Sequence, residues 1–301
     1  MRSTLLAAFL LFPPVLLAAA APARKIGLVL DAADSGERPM YQELLRTYRS
    51  REKVVPVELA DASRTDPIAK GKVLSDLATC DLVVAVGNGA TAFAIAEHEE
   101  VPVFFVDATI VPGASLQDAS VSGLFGYSVE DLLDAAKTLR LGSIGLAFTP
   151  GYEPVAEWIR AGAAARGLAF SSRRVSTPKE LPPAVRYLRE HSKAIWLAGD
   201  PLLVLGAGFE FIQELSLSEK LPIVGPGHGS VALGALVGSA PDAAQQEAAA
   251  VRAIDAILLT RRPPNPRVAS AGRGGAILLN ASLAAKWNVK APESPRWRRI
   301  H

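Results

Sequence analysis

Continuous apolar runs alternate with amphipathic stretches along this chain, and the alternation occurs twice. Residues 26–31 (IGLVLD) form a short apolar run that ends at a polar loop, Asp34-Ser35-Gly36. Met40, Leu44, Leu45 and Tyr48 then recur at helical spacing. Residues 54–59 are rich in β-branched side chains and predict a strand. Asp66-Pro67 predicts a helix start, with Asp as cap and Pro at the first helical position. A strand over 82–87 (LVVAVG), a helix over 90–97 and a strand over 101–107 (VPVFFVD) complete the first series. After 124–128 the pattern restarts. Strands are expected over 144–148, 168–175, 194–199, 222–225 and 235–239. Helices are expected over 153–165, around 179–189, over 203–215 and, rich in alanine, over 242–260. Strands that are apolar along their whole length are buried on both faces, so the pattern specifies parallel sheets covered by helices on both sides. Ile26-Gly27-Leu28 and Ile144-Gly145-Leu146 open equivalent units. The reading is an α/β protein of two doubly wound parallel-sheet lobes; one large sheet is the alternative.

The N-terminal 23 residues stand outside this pattern. Arg2 precedes an apolar run over 5–17, and small residues follow. This is the layout of an export signal, with cleavage after Ala20 or Ala23. Pro13-Pro14 would break a spanning helix; an uncleaved anchor is the alternative. No cysteine follows the run, so a lipid anchor is not expected, and the expected location is the periplasm. Without the signal the net charge falls from +2 to +1. There is then no basic field, and nucleic acid is not an expected partner. Cys80 is the single cysteine of 301 residues, so neither a disulfide nor a cysteine zinc site can form within the chain. His98, His191, His228 and His301 show no His-x-x-x-His spacing. Neither metal nor cofactor is expected.

Ligands of such sheets sit beyond the carboxyl ends of the strands, near helix N-termini. Six strand ends there carry glycine, hydroxyls or short acids. The candidates in lobe one are Asp31, Ser35, Asn88, Thr91 and Thr109. Ser128, at the end of 124–128, joins them, and in lobe two Thr149, Tyr152, Asp200, His228 and Ser230. Each also has a structural reading. Asp200 before Pro201 is a ready N-cap, Thr149-Pro150 a helix start, and Asn88-Gly89 a tight turn. Asp31 and Asp107 end apolar strands, where a carboxylate needs a partner or water. Glycines around His228 let backbone approach a ligand closely, although a lone histidine there can also be structural. Tyr127 and Tyr152 are candidates for stacking on a ligand. Ser230 and His228 share one loop, a poor arrangement for a nucleophile and its base. The chain has no Gly-x-Ser-x-Gly elbow, no phosphate-binding loop and no Gly-x-Gly-x-x-Gly after the first strand. An enzyme is not expected; a hydrolase using Ser230 or His228 is the remote alternative.

Several segments together resemble the periplasmic substrate-binding proteins of ABC transporters, in particular the family that includes the tryptophan/tyrosine-type binding proteins. They are 25–30 (KIGLVL), 81–88 (DLVVAVGN), 101–116 (VPVFFVDATIVPGASL), 121–128 (VSGLFGYS), 144–151 (IGLAFTPG), 194–200 (AIWLAGD), 221–225 (LPIVG), 234–239 (GALVGS) and 277–289 (ILLNASLAAKWNV). The resemblance implies the type I periplasmic binding fold, with three chain crossings between the lobes near Gly126, Ser239 and Pro263, which would act as hinges. Lobe one would then hold 24–125 and 240–262, lobe two 126–239 and 263–292, and 293–301 would be a tail. It also implies a monomer that captures a small, amino acid-like molecule and delivers it to a membrane permease. A ligand-sensing module without transport is the alternative. The chain departs from the family pattern at three loops. Thr109 is followed by Ile110-Val111 instead of Asp-Pro, Thr149-Pro150 replaces Asn-Pro, and Gly227-His228 stand where an acid is common.

Overall fold

Burial follows the predicted pattern closely. The computed structural model describes residues 24–33, 35–59, 67–97, 101–270 and 272–300, with the side chain of Ser35 left out. The expected export signal and the Asp66 cap lie outside these residues. The first series folds as β1 (Lys25–Asp31), α1 (Arg38–Arg49), β2 (Lys53–Leu59), α2 (Pro67–Leu77), β3 (Leu82–Val86), α3 (Asn88–Glu97), β4 (Val103–Ala108) and β5 (Val121–Phe125). The second gives α4 (Val129–Thr138), β6 (Ser143–Phe148), α5 (Glu153–Ala164), β7 (Ala169–Arg174), α6 (Leu181–His191), β8 (Ala194–Leu197), α7 (Pro201–Val204), α8 (Gly206–Glu219), β9 (Ile223–Val224), α9 (His228–Ala232) and β10 (Val237–Ala240). The chain closes with α10 (Ala243–Thr260), β11 (Val268–Ser270), β12 (Ala276–Asn280), α11 (Ala281–Lys286) and β13 (Trp297–Ile300).

Sheet one runs β11-β5-β4-β3-β1-β2, all parallel. Sheet two runs β13-β12-β10-β9-β8-β6-β7, with β12 antiparallel to β10. Side chains alternate along a strand, so Ile26, Leu28 and Leu30 of β1 meet α1 and α10 on one face. Val29 meets α2 and α3 on the other. The two glycines of the paired sequence units share one task. A Cβ at Gly27 would strike Leu77 at the end of α2, and one at Gly145 would strike Ser192 at the end of α6. Each glycine lets the returning helix press against its sheet. Cys80 is buried, and burial pushes its thiol pKa up.

Four expectations change. The helix expected over 203–215 is two helices, broken at Leu205, with Gly206 at φ +52°. Helix α4, which the apolar pattern did not single out, fills 129–138 under a Ser128 cap whose hydroxyl accepts from Asp131 N at 3.2 Å. The return to lobe two does not occur at Pro263: β11 pairs with β5 at the edge of sheet one, so the third crossing falls between β11 and β12. The segment 293–301 is likewise no free tail, because β13 pairs with β12 in sheet two.

Two clamps hold the crossings. Ser128 N donates to Ser239 Oγ at 2.9 Å, joining the first crossing to the second. At the third, Gly274 N and Gly275 N donate to the fully buried Asp131 carboxylate, which also pairs with Arg296 Nη2 at 2.7 Å. Removing Asp131 strands the buried Gly275 amide and unpairs the Gly274 amide and Arg296. Asp131→Ala is therefore expected to cost on the order of 3 kcal/mol, measured as a lower denaturant midpoint with an unchanged slope.

Candidate functional site

A cavity of about 520 Å³ opens between the lobes. Its lobe-one wall is Gly36, Glu37, Asn88, Asp107, Thr109 and Ile110. The opposite wall is Val204, Leu205, Phe209, Leu233 and the segment 226–230, which enters α9. The crossings floor it with Gly126, Ser239, Ala240 and Pro241, and α10 adds Ala243 and Gln246. Volume and concavity are those of a small-molecule site. Asn88 shapes the lobe-one wall: its Oδ1 accepts from Thr109 N at 2.8 Å and Ile110 N at 2.9 Å. Asp107 sits at a register shift in β4, with φ 62°, and its Oδ1 accepts from Gln246 Nε2 at 3.0 Å.

The structure brings four of the sequence candidates into this cleft: Asn88, Thr109, His228 and Ser230. Gly126 and Ser239, proposed as crossings, floor it. Ser230 Oγ donates to Gly227 O at 2.7 Å, so the hydroxyl is engaged with its own loop and not with the His228 imidazole. Thr91 is buried and donates to Gly87 O at 2.6 Å. Asp31 is buried beside Gly89 and accepts from Ala33 N at 3.0 Å. Ser128 caps α4. Tyr127 is fully buried and stacks on Phe125 at 5.0 Å. Sequence reasoning did not single out Glu37, Leu205, Phe209, Leu233 or Gln246. Gln246 alone left a signal, as a polar residue on the otherwise apolar stripe of Ala250, Ile254 and Ile257 along an alanine-rich helix.

Thr149, Tyr152 and Asp200 are placed elsewhere, in an inter-lobe latch. The segment after β4 leaves lobe one and docks on the ends of β6 and β8. Val111 N donates to Gly199 O at 2.7 Å, and Tyr152 OH donates to Val111 O at 2.7 Å. Asp200 Oδ2 accepts from Gly113 N at 2.8 Å and from Thr149 Oγ1 at 2.6 Å, while its Oδ1 caps α7 through Leu202 N at 2.9 Å. The backbones touch so closely that a Cβ at Gly151 would run into the Gly113 carbonyl.

Two doubly wound lobes, joined by three crossings and opening a cleft at the strand ends, define a type I periplasmic binding fold. The chain belongs to the ABC transporter substrate binding protein family, whose model matches residues 59–295. Three solved structures share the fold. An ABC domain from Streptococcus pneumonia in complex with L-Trp is 20% identical at a TM-score of 0.56, over 90% of this chain and 96% of that one. A conserved domain protein from Vibrio cholerae is 18% identical at 0.55, over 92% and 99%. A substrate binding protein with adhesive properties from Clostridium difficile, in a ligand-free, open structure, is 15% identical at 0.55, over 92% and 99%. No curated protein matches the sequence.

The latch yields two predictions. Tyr152→Phe removes one buried hydrogen bond and is expected to cost about 1 kcal/mol, whereas Asp200→Ala strands several donors and costs on the order of 3 kcal/mol; denaturant midpoints read both. Burial also pushes the Tyr152 phenol well above its usual range, and burial with help from Glu58 pushes Tyr41 up to about 12. A group whose folded pKa is raised stabilises fully below its unfolded value, near 10, and loses that contribution as pH rises through the folded value. Alkaline unfolding is therefore expected above about pH 10, with phenolate absorbance at 295 nm rising together with loss of circular dichroism.

Proposed function

We propose that this protein captures a small solute in its inter-lobe cleft and delivers it to the membrane permease of an ABC transporter, outside the cytoplasmic membrane. The observation that carries the reading is the cleft itself, because both lobes and two of the crossings, at Gly126 and at 239–241, contribute to one cavity of solute size. Family membership supports a solute-binding role, and the N-terminal sequence layout supports export. The Streptococcus pneumonia neighbour holds L-Trp, and a solute of amino-acid size fits about 520 Å³. Asn88 holds the lobe-one wall in shape before a ligand arrives, which reduces the ordering cost of binding. Gly126, Ser239 and the segment between β11 and β12 are where lobe rotation would be absorbed, and a solute that touches both walls would favour the closed arrangement by its extra contacts there. Ser230 Oγ is engaged by the Gly227 carbonyl of its own segment, an arrangement that supports a binding role for this residue.

Gly229 provides the test. It lines the cleft, and a Cβ there meets nothing within 4 Å. Gly229→Trp should fill the cleft without disturbing the fold. In a thermal-shift screen of small metabolites, the unaltered protein should be stabilised by one solute class and the variant by none. Uptake of that solute should fall in cells that carry the variant. Equal stabilisation of both proteins would place the solute elsewhere, and a screen without a stabilising metabolite would sink the reading.

A further inference from the structure

We infer that Gln246 is the residue by which the cleft selects its solute, and that the solute answers it with an N–H or O–H group carried on an apolar body. This rests on the cleft being the solute site. Gln246 stands in the first turn of α10, lines the cavity and is only 3% exposed, so the end of its side chain is what it shows the cleft. Its Nε2 donates to Asp107 Oδ1 at 3.0 Å. A carboxylate accepts and an amide nitrogen donates, so this bond fixes which way round the amide sits. Oε1, on the same planar carbon, is turned away from Asp107. Among the described residues no group donates to it, and it is not one of the polar atoms sealed in the interior without a partner. It is an acceptor held at the cleft with its hydrogen bond unmade.

Other polar side chains around the cavity are engaged within the protein. Asn88 Oδ1 takes the amides of Thr109 and Ile110, and its Nδ2 donates to Thr109 Oγ1 at 3.2 Å. Ser230 Oγ donates to Gly227 O at 2.7 Å, and Ser239 Oγ accepts from Ser128 N at 2.9 Å. Asp107 and Glu37 are likewise partnered. His228, on the facing wall, carries an imidazole that both donates and accepts, and so accommodates either kind of group. Gln246 Oε1 only accepts. A solute that brings no donor to that point covers a buried acceptor and leaves it unpaired, which is the costly outcome.

The facing wall sets the body of the solute. Leu205 is 52% exposed and Leu233 56%, and both line the cavity beside Phe209. Large apolar side chains left open in a concave site gain by covering. Helix α10 gives the amide a rigid mount. Gln246 continues the stripe of Ala250, Ile254 and Ile257, which packs on the core of lobe one, and Asp242 caps the helix by accepting from Gln245 N at 3.0 Å. An acceptor fixed in this way needs no ordering when the solute arrives.

Two matched pairs of probes separate the donor from the shape: indole with N-methylindole, and benzamide with N,N-dimethylbenzamide. In ligand-observed NMR titrations each N–H compound is expected to bind at least tenfold more tightly than its methylated partner. Gln246→Met keeps the length of the side chain and removes the amide. It should bring the members of each pair to within about twofold of one another, with circular dichroism checking the fold. Equal affinities within each pair in the unaltered protein, a measurement that needs no variant to fold, overturn the inference and leave solute capture intact. So does an N–H preference that survives Gln246→Met, since the added methyl groups alone would then account for it. Failure of all four probes when a metabolite of the thermal-shift screen binds has the same result. Indole and benzamide binding undiminished by Gly229→Trp lies outside the cleft and also overturns the assignment. Absence of any binder in both the screen and the titrations removes capture itself, and the role of Gln246 with it.

Discussion

Asp200 is the point on which the two lobes agree. One of its carboxylate oxygens caps a helix of lobe two, and the other receives an amide from lobe one together with a hydroxyl from the next strand end. Buried acceptors of this kind cost little when fully used and a great deal when half used, so the segment after β4 has one seat. Around it the apolar cores merge. Phe105, Val111, Leu116 and Phe125 of lobe one share a single cluster with the interior of lobe two, and Phe105, Phe125 and Tyr127 form an aromatic row along the first crossing. The lobes are therefore joined by a packed interface as well as by connecting strands.

Asn88 and Asp107 derive their positions from that seat. Asn88 bonds the residues immediately before the docked segment, and Asp107 lies in the last turn of chain before it. Docking the loop on lobe two thus sets the lobe-one wall of the cleft. The acids and amides of this wall come from three separate elements, the turn before α1, the start of α3 and the end of β4, whereas the facing leucines come from the break between α7 and α8 and the end of α9. Polar and apolar halves of one cavity are in this way assigned to different lobes.

The architecture was legible because fully apolar strands such as LVVAV admit few other fates, and because the repeated Ile-Gly-Leu opening marked the second unit. What was missed has physical reasons. Helix α4 is amphipathic but short on large apolar residues, and its identity rests on a cap and a buried Asp131 whose partners lie more than 140 positions away in sequence. The strand β11 has only three residues, all partly buried, and nothing local tells it which sheet to join. For the site, strand ends were the right places to search, yet the same short polar residues serve cleft and latch alike. Asp200 and Thr149 differ from Asn88 and Thr109 only in which neighbour arrives, and that is decided by tertiary contacts.

The interleaving of the lobes bears on when this polypeptide can become a folded object. Sheet one waits for an edge strand that begins at Val268, and sheet two for strands that end at Ile300. Neither lobe is a contiguous stretch that could close behind a moving front of synthesis, and long-range closures of this kind are slow to nucleate. A partly emerged chain lacks pieces of both sheets at once, so neither lobe has its full set of strands until nearly the whole length is free.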